Sequence, residues 1–413
     1  MQQTPPVKER LYDWVVWGAS GFVGRLVVEY LVSKYPPGGG LRWAIAGRDQ
    51  RKLESLLNRV TSAGERPSIV LAESHDRASL DQLARDTKVV LSTVGPYAKH
   101  GSELVEACVA SGTDYCDLCG EVPWMREMID QHQPEAQKSG ARIVMSCGFD
   151  SIPSDLGVFF LQEQAKSAYG QPCSEIALLV RALKGGFSGG TVASFLNVVD
   201  QARRDRDVAR VLMDPYGLNP EGERDGPERR DPTGAQFNVD AGAWTAPFVM
   251  ASVNTRVVRR TNALLGYPYG RDFLYSETTM SGKGVRGRWK AGWMSAGLRL
   301  FVIASSIPFT RRWIVEKLVP KPGDGPTRQQ RESGYFNLLL IGKQPDGNTM
   351  RVRVKGDRDP GYGSTSKMIA ESAVCLARDE LETGGGFWTP ASALGTALLE
   401  RLIANAGLSF ELE

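Results

Sequence analysis

Cysteine, histidine and net charge are all scarce in this chain. Six Cys and three His are spread over 413 residues. A disulfide framework is a device of small secreted domains, and a structural zinc site needs four ligands at compatible spacing. Cys116 and Cys119 form a C-x-x-C pair, but His75, His100 and His132 offer no second pair, so no metal is expected. A thioredoxin-type motif opens a helix, whereas Gly120 and Glu121 follow here. Fifty Lys+Arg against 47 Asp+Glu leave a formal charge of +3, no footprint for nucleic acid. Glycine and proline make up about a sixth of the residues, under the ~25–30% of low-complexity chains. The first ten residues are polar and lack the apolar core of a signal peptide, so a reducing, cytoplasmic setting is expected. Long apolar runs are also missing. From Ala291 to Thr310 the only charge is Arg299, but the stretch falls short of the ~20 apolar residues that span a bilayer, and Pro308 interrupts its end. A buried core helix is the plain expectation. The alternative is that residues 291–312 shelter an acyl chain or touch a membrane or lipid-droplet surface.

What is present is alternation. Asp13–Trp17, Leu41–Ala46, Ser68–Leu71, Val89–Val94, Asp114–Asp117 and Arg142–Ser146 read as strands, with helical stretches between them. That order argues a Rossmann-type, doubly wound parallel sheet over residues 1–150. Beyond it, Ser174–Lys184, Arg271–Ser281, Tyr335–Lys343 and Thr349–Lys355 read as longer strands, the last two a hairpin closed by Gln344–Asn348 with its Asp-Gly turn. A second α+β domain with a mainly antiparallel sheet, for substrate or dimer contacts, is expected over 151–360. Helices over 361–413 are expected to return to the first domain. The Pro-rich, charged stretch Met213–Gln236 reads as a long loop of the lid or disordered kind.

Gly18-Ala19-Ser20-Gly21-Phe22-Val23-Gly24 lies between a strand and a helix. The first glycine permits a tight turn, the second lets backbone N–H groups approach a pyrophosphate, and the third allows close strand–helix packing. Gly18, Ser20, Gly21, Phe22, Val23 and Gly24 are therefore candidate dinucleotide ligands. At the tip of the second strand, where a carboxylate would bind the ribose of NAD, stands Arg48, with Arg51 and Lys52 one turn later. Guanidinium there suits a 2′-phosphate, so NADP(H) is the expected cofactor, with Asp49 capping the helix. Thr93, Val94, Gly95 and Tyr97 follow the fourth strand, whose end faces the cofactor in such sheets. Tyr97 is either a catalytic hydroxyl or a ring packed on the pyrophosphate. Asp150 and Ser151 leave the last strand of the first sheet near the hydride-transfer region. Asp150 is either a proton relay or a turn former before Pro153. Ser188, Gly189, Gly190 and Thr191 open a helix after a strand, so their amides suit a carboxylate, a thioester oxygen or a phosphate, or simply form a tight turn.

Several blocks together resemble the saccharopine dehydrogenase-like oxidoreductases, in the branch that includes the trans-acting enoyl reductases. They are Trp17–Gly24, Ala46–Arg48, Ser92–Tyr97, Gly112–Glu121, Cys147–Gly157, Ser188–Ser194, Lys321–Pro326, Gly361–Met368 and Thr389–Gly395. Cys119 departs from the pattern, which has Thr there. The resemblance implies NADP-dependent reduction, with a lipid-related enoyl substrate in one branch, and it places Tyr115, Asp117 and Glu121 on the floor of the cleft. Asp117 thereby joins Tyr97 and Asp150 as a candidate proton donor, with Tyr115 and Glu121 as substrate contacts. An NADPH-dependent reductase of a small-molecule or acyl substrate, forming a homodimer, is the leading expectation. Reduction of an imine between an amino acid and a keto acid, and a non-catalytic NADP-binding lipid-surface protein, are the alternatives.

Overall fold

The computed structural model describes residues 10–38, 40–61, 65–185, 189–227, 231–307, 309–310 and 325–413. Its first half winds around a parallel sheet. The strands are β1 (Tyr12–Trp17), β2 (Trp43–Gly47), β3 (Ser68–Leu71), β4 (Thr87–Ser92), β5 (Asp114–Asp117) and β6 (Arg142–Val144). Between them run helices α1 (Phe22–Lys34), α2 (Gln50–Val60), α3 (Arg77–Asp86), α4 (Tyr97–His100), α5 (Ser102–Ser111) and α6 (Val122–Ser139). The central strands β1 and β4 form because their residues are largely apolar on both faces. Trp14, Val15 and Val16 of β1 and Val89, Val90 and Leu91 of β4 are all fully buried, each side chain stabilising the sheet by roughly 1.5–3 kcal/mol. The order β6-β5-β4-β1-β2-β3 places the reversal beside β1, where α/β sheets bind their ligands.

The second half comprises α7 (Ile152–Tyr169), β7 (Glu175–Lys184), α8 (Gly189–Arg204), α9 (Arg206–Met213), β8 (Gln236–Asn238), β9 (Ala243–Pro247), α10 (Ala251–Leu264), β10 (Leu274–Gly282), α11 (Gly284–Ser306), α12 (Arg328–Glu332), β11 (Tyr335–Lys343) and β12 (Thr349–Gly356). After these come α13 (Thr365–Arg378), β13 (Gly386–Trp388), α14 (Pro390–Arg401) and β14 (Leu408–Leu412). The second sheet runs β14-β12-β11-β7-β10-β9-β8, with β7 and β10 parallel and every other neighbour pair antiparallel. The β11–β12 hairpin closes as its turn chemistry requires, with Gly347 at φ +93° and Gln344 N–H donating to Asn348 O at 2.9 Å. Along β12 the side chains alternate between core and solvent.

The last fifty residues return to the first sheet and also join both sheets. Helix α13 packs on α1 and β4, β13 adds a parallel strand beside β6, and β14 adds an antiparallel strand beside β12. One apolar core consequently runs from under the first sheet through α7, α13 and α14 to the second. Two expectations are overturned. The start of the Met213–Gln236 stretch is pinned: Tyr216–Asn219 are buried, Arg126 donates to Asn219 O at 2.8 Å, and Arg260 donates to Leu218 O. The apolar 291–310 stretch is no core helix either. It is the outer part of α11, much of it facing solvent; residues 308, 311 and 312 lie outside the described residues.

Candidate functional site

The glycine turn begins the site. Gly18 has φ +81°, and a Cβ there would collide with Val94; a Cβ on Gly24 would collide with the Gly18 carbonyl. Only glycine at both positions lets β1, the β4 loop and α1 meet so closely. Gly21 N–H donates to Gly18 O at 2.9 Å, closing the turn, and Gly21 is the N-cap of α1. No side chain caps this helix and no acid sits in its first turn, so the leading amides at Phe22 and Val23 keep their positive field for an anion. Ser20 is half-buried within the turn. The arrangement fits a dinucleotide pyrophosphate. The Thr93 hydroxyl donates to Trp17 O at 3.1 Å and Gly18 O at 3.3 Å, so it fastens the turn. Phe22 stands edge-on to Tyr362, 5.2 Å between ring centroids, joining the turn to the C-terminal segment.

At the tip of β2, Arg48, Asp49, Gln50, Arg51 and Glu54 line an open hollow of about 680 Å³. Asp49 caps α2 by accepting the Lys52 N–H at 3.1 Å. The Lys52 ammonium turns back to Asp49, 3.7 Å away, and does not line the hollow. Arg51, one residue earlier on the helix, takes the place expected of Lys52. The hollow offers two guanidinium groups to a 2′-phosphate.

Beneath the strand ends, four candidates form a closed polar network. The Tyr97 hydroxyl donates to Ser92 O at 3.2 Å and accepts from Leu118 N–H at 3.1 Å. Glu121 accepts from the backbone N–H groups of Tyr97 (2.8 Å) and Ala98 (3.2 Å) and from the Ser194 hydroxyl (2.9 Å). Asp117 accepts from Cys119 N–H and Ser146 N–H, both at 3.0 Å, and from the Tyr115 hydroxyl at 3.0 Å. All four side chains are buried, and burial pushes the Tyr97 and Tyr115 hydroxyls well above the usual range. The expected catalytic roles of Tyr97 and Asp117 and the expected substrate contacts of Tyr115 and Glu121 thus fall on side chains that already have hydrogen-bond partners within the protein. Their polar atoms are satisfied by protein, and they set the loops on which the site rests.

Asp150 differs. It is part-exposed, and its carboxyl receives no hydrogen bond from the described residues. A Cβ on Gly120 would stand 4.0 Å from Asp150 Oδ2 and 3.7 Å from Val253 Cγ2, which locates the carboxyl among backbone and apolar carbon. Burial, and then the Glu277 carboxylate, push its pKa up to about 7. Glu277 accepts from the Tyr275 hydroxyl (2.7 Å) and from Asn254 (2.9 Å), and burial lifts it to about 7 as well. The loop bearing Asp150 is held by Thr365, which accepts from Phe149 N–H at 3.0 Å. Ser151 is enclosed, with its hydroxyl unpartnered. Asp155 caps α14 rather than its own helix, accepting from Ala391 N–H at 2.8 Å. Glu277 escaped sequence reasoning, although an acid on the inward face of β10, in register with Tyr275, is a readable signal.

Ser188 lies outside the described residues. Gly189, Gly190 and Thr191 open α8, and one turn on Ser194 stands beside the β4 loop, where a Cβ on Gly95 would lie 3.6 Å from its Oγ. The start of α8 thus borders the strand ends of the first sheet.

Comparison with known proteins follows the same lines. The family profile described as saccharopine dehydrogenase NADP-binding domain matches residues 14–144. A Mycobacterium tuberculosis protein that provisionally carries the name trans-acting enoyl reductase is 42% identical, over 97% of each chain. The trans-acting enoyl reductase of Mycobacterium leprae is 35% identical, over 95% of this chain and 96% of its own. Apo saccharopine dehydrogenase (L-Glu forming) from Saccharomyces cerevisiae matches at a TM-score of 0.54 and 14% identity, over 97% of this chain and 99% of that one. That last likeness is one of fold.

Proposed function

The chain belongs to the saccharopine dehydrogenase-like oxidoreductases, in the branch of the trans-acting enoyl reductases, and is an NADP-dependent oxidoreductase; on that premise we propose that it reduces the double bond of an enoyl thioester or kindred acyl substrate, with Asp150 as proton donor. The observation that carries this reading is the Asp150 carboxyl, unpartnered among the described residues and poised near neutrality at the carboxyl end of the first sheet.

NADPH, when bound, supplies the hydride. The chain's own residues do the rest. The amides of the glycine turn bind pyrophosphate and Arg48 with Arg51 hold the 2′-phosphate. Tyr97, Glu121 and Thr93 fix the β4 loop and the turn, and Asp150 holds a proton to deliver to the substrate carbon α to the thioester carbonyl. A donor with a pKa near 7 is half protonated at neutral pH, which suits general-acid work. The Glu277 carboxylate keeps that proton on Asp150 longer than burial alone would.

The imine alternative is less well supported. A substrate bearing amino-acid carboxylates calls for cations beside the proton donor, yet among the described residues the charge that shifts Asp150 is that of Glu277, an acid. The test is NADPH oxidation with an enoyl thioester panel and an imine panel, wild type against Asp150→Asn. Turnover of enoyl thioesters that the variant loses supports the reading. Turnover of imines alone, or a variant as active as wild type, sinks it.

A further inference from the structure

Helix α11 turns small residues inward and large apolar ones outward. Its inner face, carrying Gly287, Ala291, Ser295 and Ser305, is buried and packs on β9 and β10. At about 100° per residue, Val285, Trp289, Trp293, Leu300 and Ile303 fall within an arc of about 80° on the far side. Those five are 71%, 67%, 73%, 65% and 57% exposed. A helix lying on a globular protein ordinarily turns charge to that side. Here the stripe runs nearly the whole 23-residue helix, and exposed Phe237 and Val239 lie on and just past β8, the sheet-edge strand that α11 also touches.

The charge on the helix has one sign. From Lys283 to Thr310 the chain has Lys283, Arg286, Arg288, Lys290 and Arg299 and no Asp or Glu. Four of the five lie at the N-terminal end, which also carries the positive end of the helix dipole. Arg288 sits over the Trp244 ring and Arg299 donates to Thr233 O, whereas Lys283, Arg286 and Lys290 are exposed and pair with none of the described residues.

We propose that α11 is an interfacial helix: it lies in the plane of an anionic lipid surface, with the Val285–Ile303 stripe among the acyl chains and the cations of its N-terminal end at the headgroups. No helix among the described residues is long and apolar enough to cross a membrane, so the helix lies on the surface and does not span it. Exposed Trp289 and Trp293 have the amphipathic ring that prefers the headgroup boundary. A second copy is a poorer occupant, because the helix it would present carries no Asp or Glu to answer these cations. The surface would let a soluble reductase meet a substrate too apolar to leave the bilayer.

The test is flotation of the full chain with vesicles of neutral phosphatidylcholine or of phosphatidylcholine with phosphatidylglycerol, at low and high salt. Wild type is expected to float with anionic vesicles and to release at high salt. Trp289→Ser with Trp293→Ser is expected to lower binding at least tenfold, and Lys283→Glu with Lys290→Glu about thirtyfold or more, at about 1 kcal/mol per cation lost. All four positions are exposed, and circular dichroism checks that the variants keep the fold. Absence of wild-type flotation, equal binding to neutral vesicles, or a lipid-free dimer that the tryptophan variant splits overturns the proposal.

Discussion

The two ends of the candidate site, the glycine turn and the Asp150 region, are built from different materials. The nucleotide end is backbone: a turn whose glycines exclude side chains, a helix without a capping side chain, and two arginines at a strand tip. The opposite end is side chains from distant parts of the chain, with Asp150 after β6 facing Glu277 on β10, both lifted to about 7 by burial. Backbone amides offer a fixed field that needs no protonation state, which suits a cofactor phosphate at any pH. Buried carboxyls offer a proton that can leave, which suits one chemical step and ties it to pH. Binding and proton transfer should therefore be separable.

The strongest way to break that contrast is Asp150→Asn. Turnover should fall by about 10²- to 10⁴-fold while NADPH affinity, followed by fluorescence titration, stays within about twofold. A large loss of NADPH affinity would show that the two ends are not independent. Next in size is Arg48→Glu, expected to weaken NADPH by about 10- to 100-fold and to leave NADH little changed. Equal effects on both cofactors would remove the 2′-phosphate from the hollow at β2.

A pH series sharpens the contrast further. Turnover should decline as pH rises through about 7, because Asp150 must be protonated, whereas NADPH affinity should show no matching step. Stability carries the same sign. Asp117, Asp150, Asp155 and Glu277 are all raised to about 7, so the folded chain keeps protons that the unfolded chain releases above about 4. Their contribution declines as pH climbs from about 4 toward 7, and the thermal midpoint of Asp150→Asn should fall less than that of wild type over this interval. Identical slopes would mean that the Asp150 carboxyl titrates normally. The smallest expected effect separates neighbours on α2: Arg51→Ala should weaken NADPH several-fold and Lys52→Ala by less than about twofold, since Lys52 faces Asp49. The reverse order would return the phosphate contact to Lys52.

The nucleotide end was legible because its parts are contiguous. Gly18 to Gly24 and Arg48 to Lys52 each sit within one turn, so local spacing carries their geometry. Even there Lys52 misled, because one step along a helix rotates a side chain by about 100°. The Asp150 end was half legible. Asp150 stands out at a strand end, but Glu277 lies in another strand of another sheet, and no spacing rule joins them. The partners of Tyr97, Tyr115, Asp117 and Glu121 were not legible, since sequence cannot tell a hydroxyl that stands open from one already bonded to Ser92 O. The short strands β8, β9, β13 and β14 went unread because three to five residues carry little periodicity and take their conformation from their partners.

The sequence by itself determined the alternating α/β half, the glycine turn, the preference for a 2′-phosphate and the hairpin at Gln344–Asn348. Each follows from local sterics or from side-chain period, which neighbouring residues impose on one another. Tertiary structure decided which carboxyl lacks a hydrogen-bond partner among the described residues, which polar groups are bonded within the protein, and that α11 turns an apolar face outward. Those outcomes depend on burial and on partners brought in from other elements, as Glu277 of β10 is to Asp150, and desolvation is a property of the packed molecule and not of any segment of it.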